Sequence, residues 1–317
     1  MLKIEMEKGL IDIETDNIME LFSWTYNGPA LEQNAFLGDY YQREEGKKSY
    51  YDRDYFRVNF ADFEKEINRG DFTFNLENIQ LSSILSNAIG GAREQITHDV
   101  FGDFGIDMGR FNTGDPECFF TAQPQECTQI DICISTTCVC YTTAETMINR
   151  ATFIYNLIST LMANGYFVNV LIQDNGKTPV TRRYRRGTTR EFVYTNIRYI
   201  MPPENLNMQS LALLLLPEML RYLFVDTCFA AYSLYFPKYH KNRRKYDVKS
   251  EEFAYMIKHA GYLVEDDKPA TENKCIYFPS SSNSRWEYYN RDSEKERIAR
   301  ELAEKFNSRN YPVITVD

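Results

Sequence analysis

Histidine is nearly absent. His98, His240 and His259 are the only three in 317 residues, and no two lie at ligand spacing. Because imidazole is the commonest metal ligand and neutral-pH base, this excludes histidine-centred metal or nucleophilic catalysis. His98-Asp99 lacks the second, upstream histidine of a metal phosphohydrolase. Long apolar runs are missing too. The longest, 211–216, is followed by Pro217, far short of the roughly 20 residues of a membrane-spanning helix. A basic-then-apolar leader is also lacking, since Lys3, Glu5, Glu7 and Lys8 alternate with Leu2, Ile4 and Met6. A soluble, cytoplasmic protein with no membrane partner is expected.

The seven cysteines follow no framework spacing. They are read as reduced thiols, and a zinc site of Cys118 or Cys127 with Cys138 and Cys140 fails because Cys-x-Cys is not the usual clip. No glycine-rich phosphate cradle is present. Gly176-Lys177-Thr178 would need glycine at position 171, which is Leu171, and Pro179 with an arginine-rich run follows in place of a helix.

The net charge of −9 argues against a whole-surface nucleic-acid binder, yet basic residues cluster. Between Lys177 and Arg198 seven basic residues face only Glu191, and between Lys238 and Lys249 six face only Asp247. The first group, Arg182, Arg183, Tyr184, Arg185, Arg186 and Arg190, reads as an exposed basic loop between two strands. Lys241, Arg243, Arg244 and Lys245 form the second segment.

Patterning predicts an α/β fold. Residues 1–120 form an irregular α+β region, with a helix near 16–26 and another over 76–88, and residues 121–317 form the α/β domain. Ile130, Ile132 and Ile134 alternate with Asp131 and Cys133, predicting a strand over 129–135 packed mainly on one face. Thr142-x-x-Glu145 reads as a capping box opening a helix over 143–164 with Met147, Ala151, Ile154, Ile158 and Leu161 on its apolar stripe. Strands follow at 167–172 and 192–200, then an apolar helix over 208–216 broken by Pro217. The segment 222–226 fits helix or buried strand. A helix over 250–260, a strand at 262–264, a helix opened by Ser293-x-x-Glu296 and a C-terminal strand complete the pattern. Strands alternating with helices imply a mostly parallel sheet covered on both faces, Rossmann-like in outline.

In open α/β sheets ligands gather beyond the carboxyl ends of the strands. The polar residues expected there are Ser135, Thr136, Thr137, Asp174 and Asp226. Two hydroxyls and a carboxylate can coordinate magnesium, but threonines in such loops more often cap helices and the acids are more often solvated.

Residues 104–111 (Phe-Gly-Ile-Asp-Met-Gly-Arg-Phe) and 114–118 (Gly-Asp-Pro-Glu-Cys), with the strand and long helix after them, resemble an uncharacterised protein family of bacteriophage genomes. The element order after Gln129 also resembles a von Willebrand factor A-type domain, and that resemblance makes the basic run the tip of a hairpin at the sheet edge. Such domains bind metal through Asp-x-Ser-x-Ser after the first strand. Here 135–139 is Ser-Thr-Thr-Cys-Val, and the leading aspartate is missing. The resemblance therefore implies a metal-independent scaffold. The expectation is a non-catalytic binding or assembly module in the host-cell cytoplasm, with a protein partner and no cofactor. Nucleic-acid binding through the two basic segments is the alternative, and a metal-dependent enzyme the second alternative.

Overall fold

The computed structural model describes residues 1–7, 9–28, 62–63, 65, 67, 75–89, 95–99, 106–123, 129–138, 142–184, 187–224, 226–228, 230–231, 234–235, 274–281, 285–308 and 313–316, with backbone alone at 95–99, 120–123 and 176–192. The helix expected over 250–260, the strand at 262–264 and the segment Lys241–Lys245 lie outside the described residues.

A seven-stranded mixed sheet organises the chain, in the order β1-β2-β7-β6-β5-β8-β9. Its strands are β1 (Lys3–Glu7), β2 (Leu10–Thr15), β5 (Gln129–Ser135), β6 (Phe167–Tyr184), β7 (Gly187–Met201), β8 (Lys274–Phe278) and β9 (Val313–Thr315), while β3 (Gln95–Asp99) and β4 (Phe119–Gln123) form a separate antiparallel pair. The three strands expected near 129–135, 167–172 and 192–200 share this one sheet. Parallel pairs join β2 to β7, β5 to β6 and β8, and β8 to β9, whereas β1–β2 and β6–β7 are antiparallel.

The N-terminal hairpin was not anticipated. Ile11 and Ile13 are fully buried, and Gly9 takes a positive φ of 89° between the strands, a conformation that glycine adopts without a Cβ clash. Because β2 pairs with β7, the β6–β7 hairpin lies inside the sheet and not at its edge.

Side chains of one sheet face, among them Ile11, Ile13, Ile130, Ile132, Ile134, Val168, Val170, Ile172, Ile197, Ile276 and Ile314, form one apolar cluster with the helices. These are α1 (Ile18–Asn27), α2 (Ile79–Ala88), α4 (Ala144–Ala163), α5 (Met208–Leu214) and α6 (Asp292–Asn307); the short α3 (Met108–Asn112) buries nothing. Among the described residues the buried helices thus gather on one face. The opposite face is apolar towards β8 and β9, where Cys133, Cys275 and Tyr277 cluster with Leu171 and Val313, and polar elsewhere: in-register rows place Ser135, Gln173, Arg198 and Glu14 side by side, and Asn175, Asn196 and Asp12 beside them. Strand β5 is nevertheless buried on both faces, because it lies inside the sheet; Asp131 and Cys133 are buried along with its isoleucines.

The long helix forms as expected, but its cap is Thr143, whose hydroxyl accepts from Thr146 N at 3.2 Å. Thr142 is buried, and its carbonyl accepts from Arg221 instead. The last helix starts at Asp292 with no side-chain cap; Asp292 and Glu294 in the first turn offset the exposed amides and helix dipole in place of Ser293. The apolar helix ends at Leu214, shortly before Pro217, as expected. Pro217 begins the next helical turn, where a missing N–H is harmless, and leads into the π-helical segment Met219–Phe224, so 222–224 is helix and not strand.

Residues 177–184 and 187–190 are strand and not loop. The β6–β7 pairing continues from Val170↔Met201 out to Tyr184↔Gly187. Neither β5 nor β2 accompanies it, since β5 pairs with β6 only as far as Gln173 and β2 pairs with β7 only from Tyr194. Among the described residues the distal half therefore pairs only with itself, as a two-stranded ribbon roughly 25 Å long at about 3.3 Å per residue. Each ribbon strand has one side with no strand neighbour among the described residues, which is where a sheet accommodates Pro179.

Candidate functional site at the carboxyl ends of the central strands

Strand β5 runs into Ser135-Thr136-Thr137-Cys138 beside the point where β6 leaves the sheet, and the two segments are tied residue by residue. Thr136 N donates to Gln173 O at 2.8 Å, and its hydroxyl donates to the same carbonyl at 3.1 Å. Thr137 Oγ1 lies 2.8 Å from Asp174 Oδ1 and accepts from Asn175 N at 3.0 Å. Ser135, Thr136 and Thr137 are all buried. Burial pushes the half-buried Asp174 carboxyl up to about 6, against the opposing pull of the threonine hydroxyls.

Asp226 reaches the same neighbourhood from the segment after the π-helix. It is buried and accepts a 2.6 Å bond from Tyr26 Oη, while Thr227 meets Thr25 at 2.7 Å. Burial raises the Cys228 thiol, and the charges of Asp174 and Asp226 raise it further. Of the five polar residues expected at the strand ends, Thr136, Thr137 and Asp174 thus serve one another and the loop backbone, Asp226 is held by Tyr26, and the Ser135 hydroxyl has no hydrogen-bond partner among the described residues.

Two arginines complete the cluster, and the sequence reading missed both. Arg150, buried on α4, donates to Ser135 O at 3.0 Å, Pro279 O at 3.2 Å and Phe278 O at 3.3 Å. Its guanidinium stacks 4.0 Å from the Trp286 ring, and Trp286 Nε1 donates to Pro279 O at 3.2 Å. One side chain so collects carbonyls from the ends of β5 and β8. Burial lowers its pKa to about 10, which leaves it cationic at neutral pH. Its signal was an arginine one turn along the helix from Met147, inside the apolar stripe. Arg221 on the π-helix donates to Thr142 O and, through its charge, opposes the rise that burial imposes on the Cys138 thiol.

Among the described residues no three of His, Cys, Asp and Glu are grouped to hold a metal ion, and no helix is long and apolar enough to cross a membrane. Cys118, Cys133, Cys138, Cys228 and Cys275 are free thiols. Of the first basic group, Arg182, Arg183, Tyr184 and Arg190 occupy ribbon backbone, with Arg182 opposite Thr189, Arg183 opposite Thr188 and Arg190 opposite Thr181. Arg185 and Arg186 lie outside the described residues, as do Lys241, Arg243, Arg244 and Lys245.

Fold and strand-end cluster together define an α/β protein with a mixed seven-stranded sheet whose buried polar groups knit its own loops. Residues 29–309 match the family described as a domain of unknown function (DUF7192), and the chain belongs to that family. No curated protein and no solved structure matches the chain.

Proposed function

We propose that the protein is a non-catalytic, phage-encoded binding or assembly module that works in the host cytoplasm and grips an anionic protein partner with the β6–β7 ribbon. The observation that carries this reading is the ribbon itself. Between Thr178 and Val193 its strands pair only with each other among the described residues, and the sequence there carries Arg182, Arg183, Arg185, Arg186 and Arg190 against Glu191. Guanidinium groups this close in sequence repel one another and gain most from carboxylates or phosphates brought by a partner. The strand-end carboxylates support the non-catalytic part, since Thr137 and Tyr26 already engage them. A von Willebrand A-like core is supported by strand, helix, parallel strand and antiparallel return in β5, α4, β6 and β7, although β1 and β2 lie beyond that return.

The ribbon also favours a second reading. A two-stranded β-ribbon fits the major groove of duplex DNA, where arginines neutralise phosphates and read guanine edges. Affinity capture from host-cell extract with the wild-type chain and with the variant R182A/R183A/R185A/R186A tests both. The first reading expects a protein partner that survives nuclease treatment and is lost with the variant. Capture abolished by nuclease supports the second, and capture unchanged in the variant contradicts both.

A further inference from the structure

The polar face of the sheet holds side chains that nothing in the strand-end cluster uses. Ser135 Oγ, Gln173 Nε2 and Asn175 Nδ2 have no hydrogen-bond partner among the described residues, and their residues are 0%, 7% and 6% exposed. Register brings them together. Ser135 on β5 is opposite Gln173 on β6, Gln173 is opposite Arg198 on β7, and Asn175 is the next residue on the same face of β6. Arg198 Nε is a fourth enclosed, unpartnered atom of this row. Leaving such a group unmet is costly, and folded proteins leave few. Four within adjacent in-register positions mark a place built for something other than the protein's own backbone.

A hydroxyl, two primary amides and a guanidinium Nε–H all donate, so the group that complements these four presents oxygen acceptors, while the enclosed Asp12 Oδ1 on the adjoining row is an acceptor that also lacks a partner among the described residues. Asp12 Oδ2 and Glu14 Oε2 hold the Nη2 of Arg198 at 2.7 and 3.2 Å, which leaves its Nε–H directed elsewhere. Across the sheet Arg150 sits 3.0 Å from the Ser135 carbonyl, and its hydrogen bonds go to carbonyls, with no carboxylate among its described contacts. A buried cation without an anion is costly, and a nearby anion offsets that cost. We infer that Ser135, Gln173, Asn175 and Arg198 form a binding site for a compact oxyanion, a phosphate or carboxylate group, on the polar face of the sheet. This inference is independent of the ribbon.

Calorimetric titration of inorganic phosphate, and separately of acetate, into protein dialysed against an amine buffer tests it. One saturable site for either anion is expected, and the anion that binds tells phosphate from carboxylate. Gln173→Leu and Asn175→Leu should each weaken binding at least tenfold while keeping or raising the anion-free melting temperature, because an unmet donor is removed. Ser135→Ala supplies the same reading if a leucine variant fails to fold. Absence of saturable binding of both anions to the wild type, or equal binding by folded variants, overturns the inference.

Discussion

Replacing Asp174 by asparagine should change how stability depends on pH more than it changes the fold. Asparagine keeps a carbonyl oxygen for Thr137 and discards the charge that burial disfavours. The folded carboxyl titrates near 6 against an ordinary value of 3.8, with burial as the leading cause. The folded state therefore holds the proton more tightly than the unfolded chain. Below about pH 3 both states are protonated and ionisation imposes no penalty. As pH rises from about 4 to 6 the unfolded chain ionises first, and the native state loses stability. A shift of about two units corresponds to at most about 3 kcal/mol at neutral pH. Urea denaturation of both proteins across pH 4–7.5 measures this. The variant should gain on the wild type through that window and hold its advantage above pH 6. A pH-independent difference, or one growing as pH falls, would refute the placement of Asp174 in a desolvated site.

Thr137→Val removes the hydroxyl that holds the Asp174 pKa down, so the wild-type pH transition should move upward, as followed by the same denaturation series. Arg150→Met leaves the carbonyls of Ser135, Phe278 and Pro279 without their donor and should cost at least about 2 kcal/mol in a urea titration at pH 7. Ile154→Ala, at a fully buried position on α4, should destabilise by about 2–5 kcal/mol, and an unchanged melting temperature would mean that this helix face is not core.

Periodicity made the centre of the fold legible. Isoleucines at 130, 132 and 134 and the helical stripe from Met147 to Leu161 dictate β5 and α4 because each buries an apolar set at its own period. The ribbon was hidden for the opposite reason. With little core to cover, 177–190 shows no apolar alternation, and its strand signal was only the β-branched Thr178, Val180, Thr181, Thr188 and Thr189 around Pro179. In β8, Cys275-Ile276-Tyr277-Phe278 is buried on both sides, and such a short run lacks a period. At the candidate site the hydroxyls and carboxylates were foreseeable from their place after strands. Arg150 and Arg221 were not, since their roles depend on carbonyls and residues distant in sequence that only tertiary structure brings to them.

The central claim is that the ribbon arginines recognise an anionic partner. Fluorescence anisotropy with a labelled acidic peptide and a labelled DNA duplex, each titrated with wild type and R182A/R183A/R185A/R186A over a range of salt, tests it most directly. The account predicts wild-type affinity for the acidic peptide that weakens with salt and is lost in the folded quadruple variant. If the duplex is the preferred ligand, the logarithmic salt slope should fall by about 0.9 for each phosphate contact removed. Equal binding of either probe by wild type and variant, or no binding at low salt, would contradict the claim.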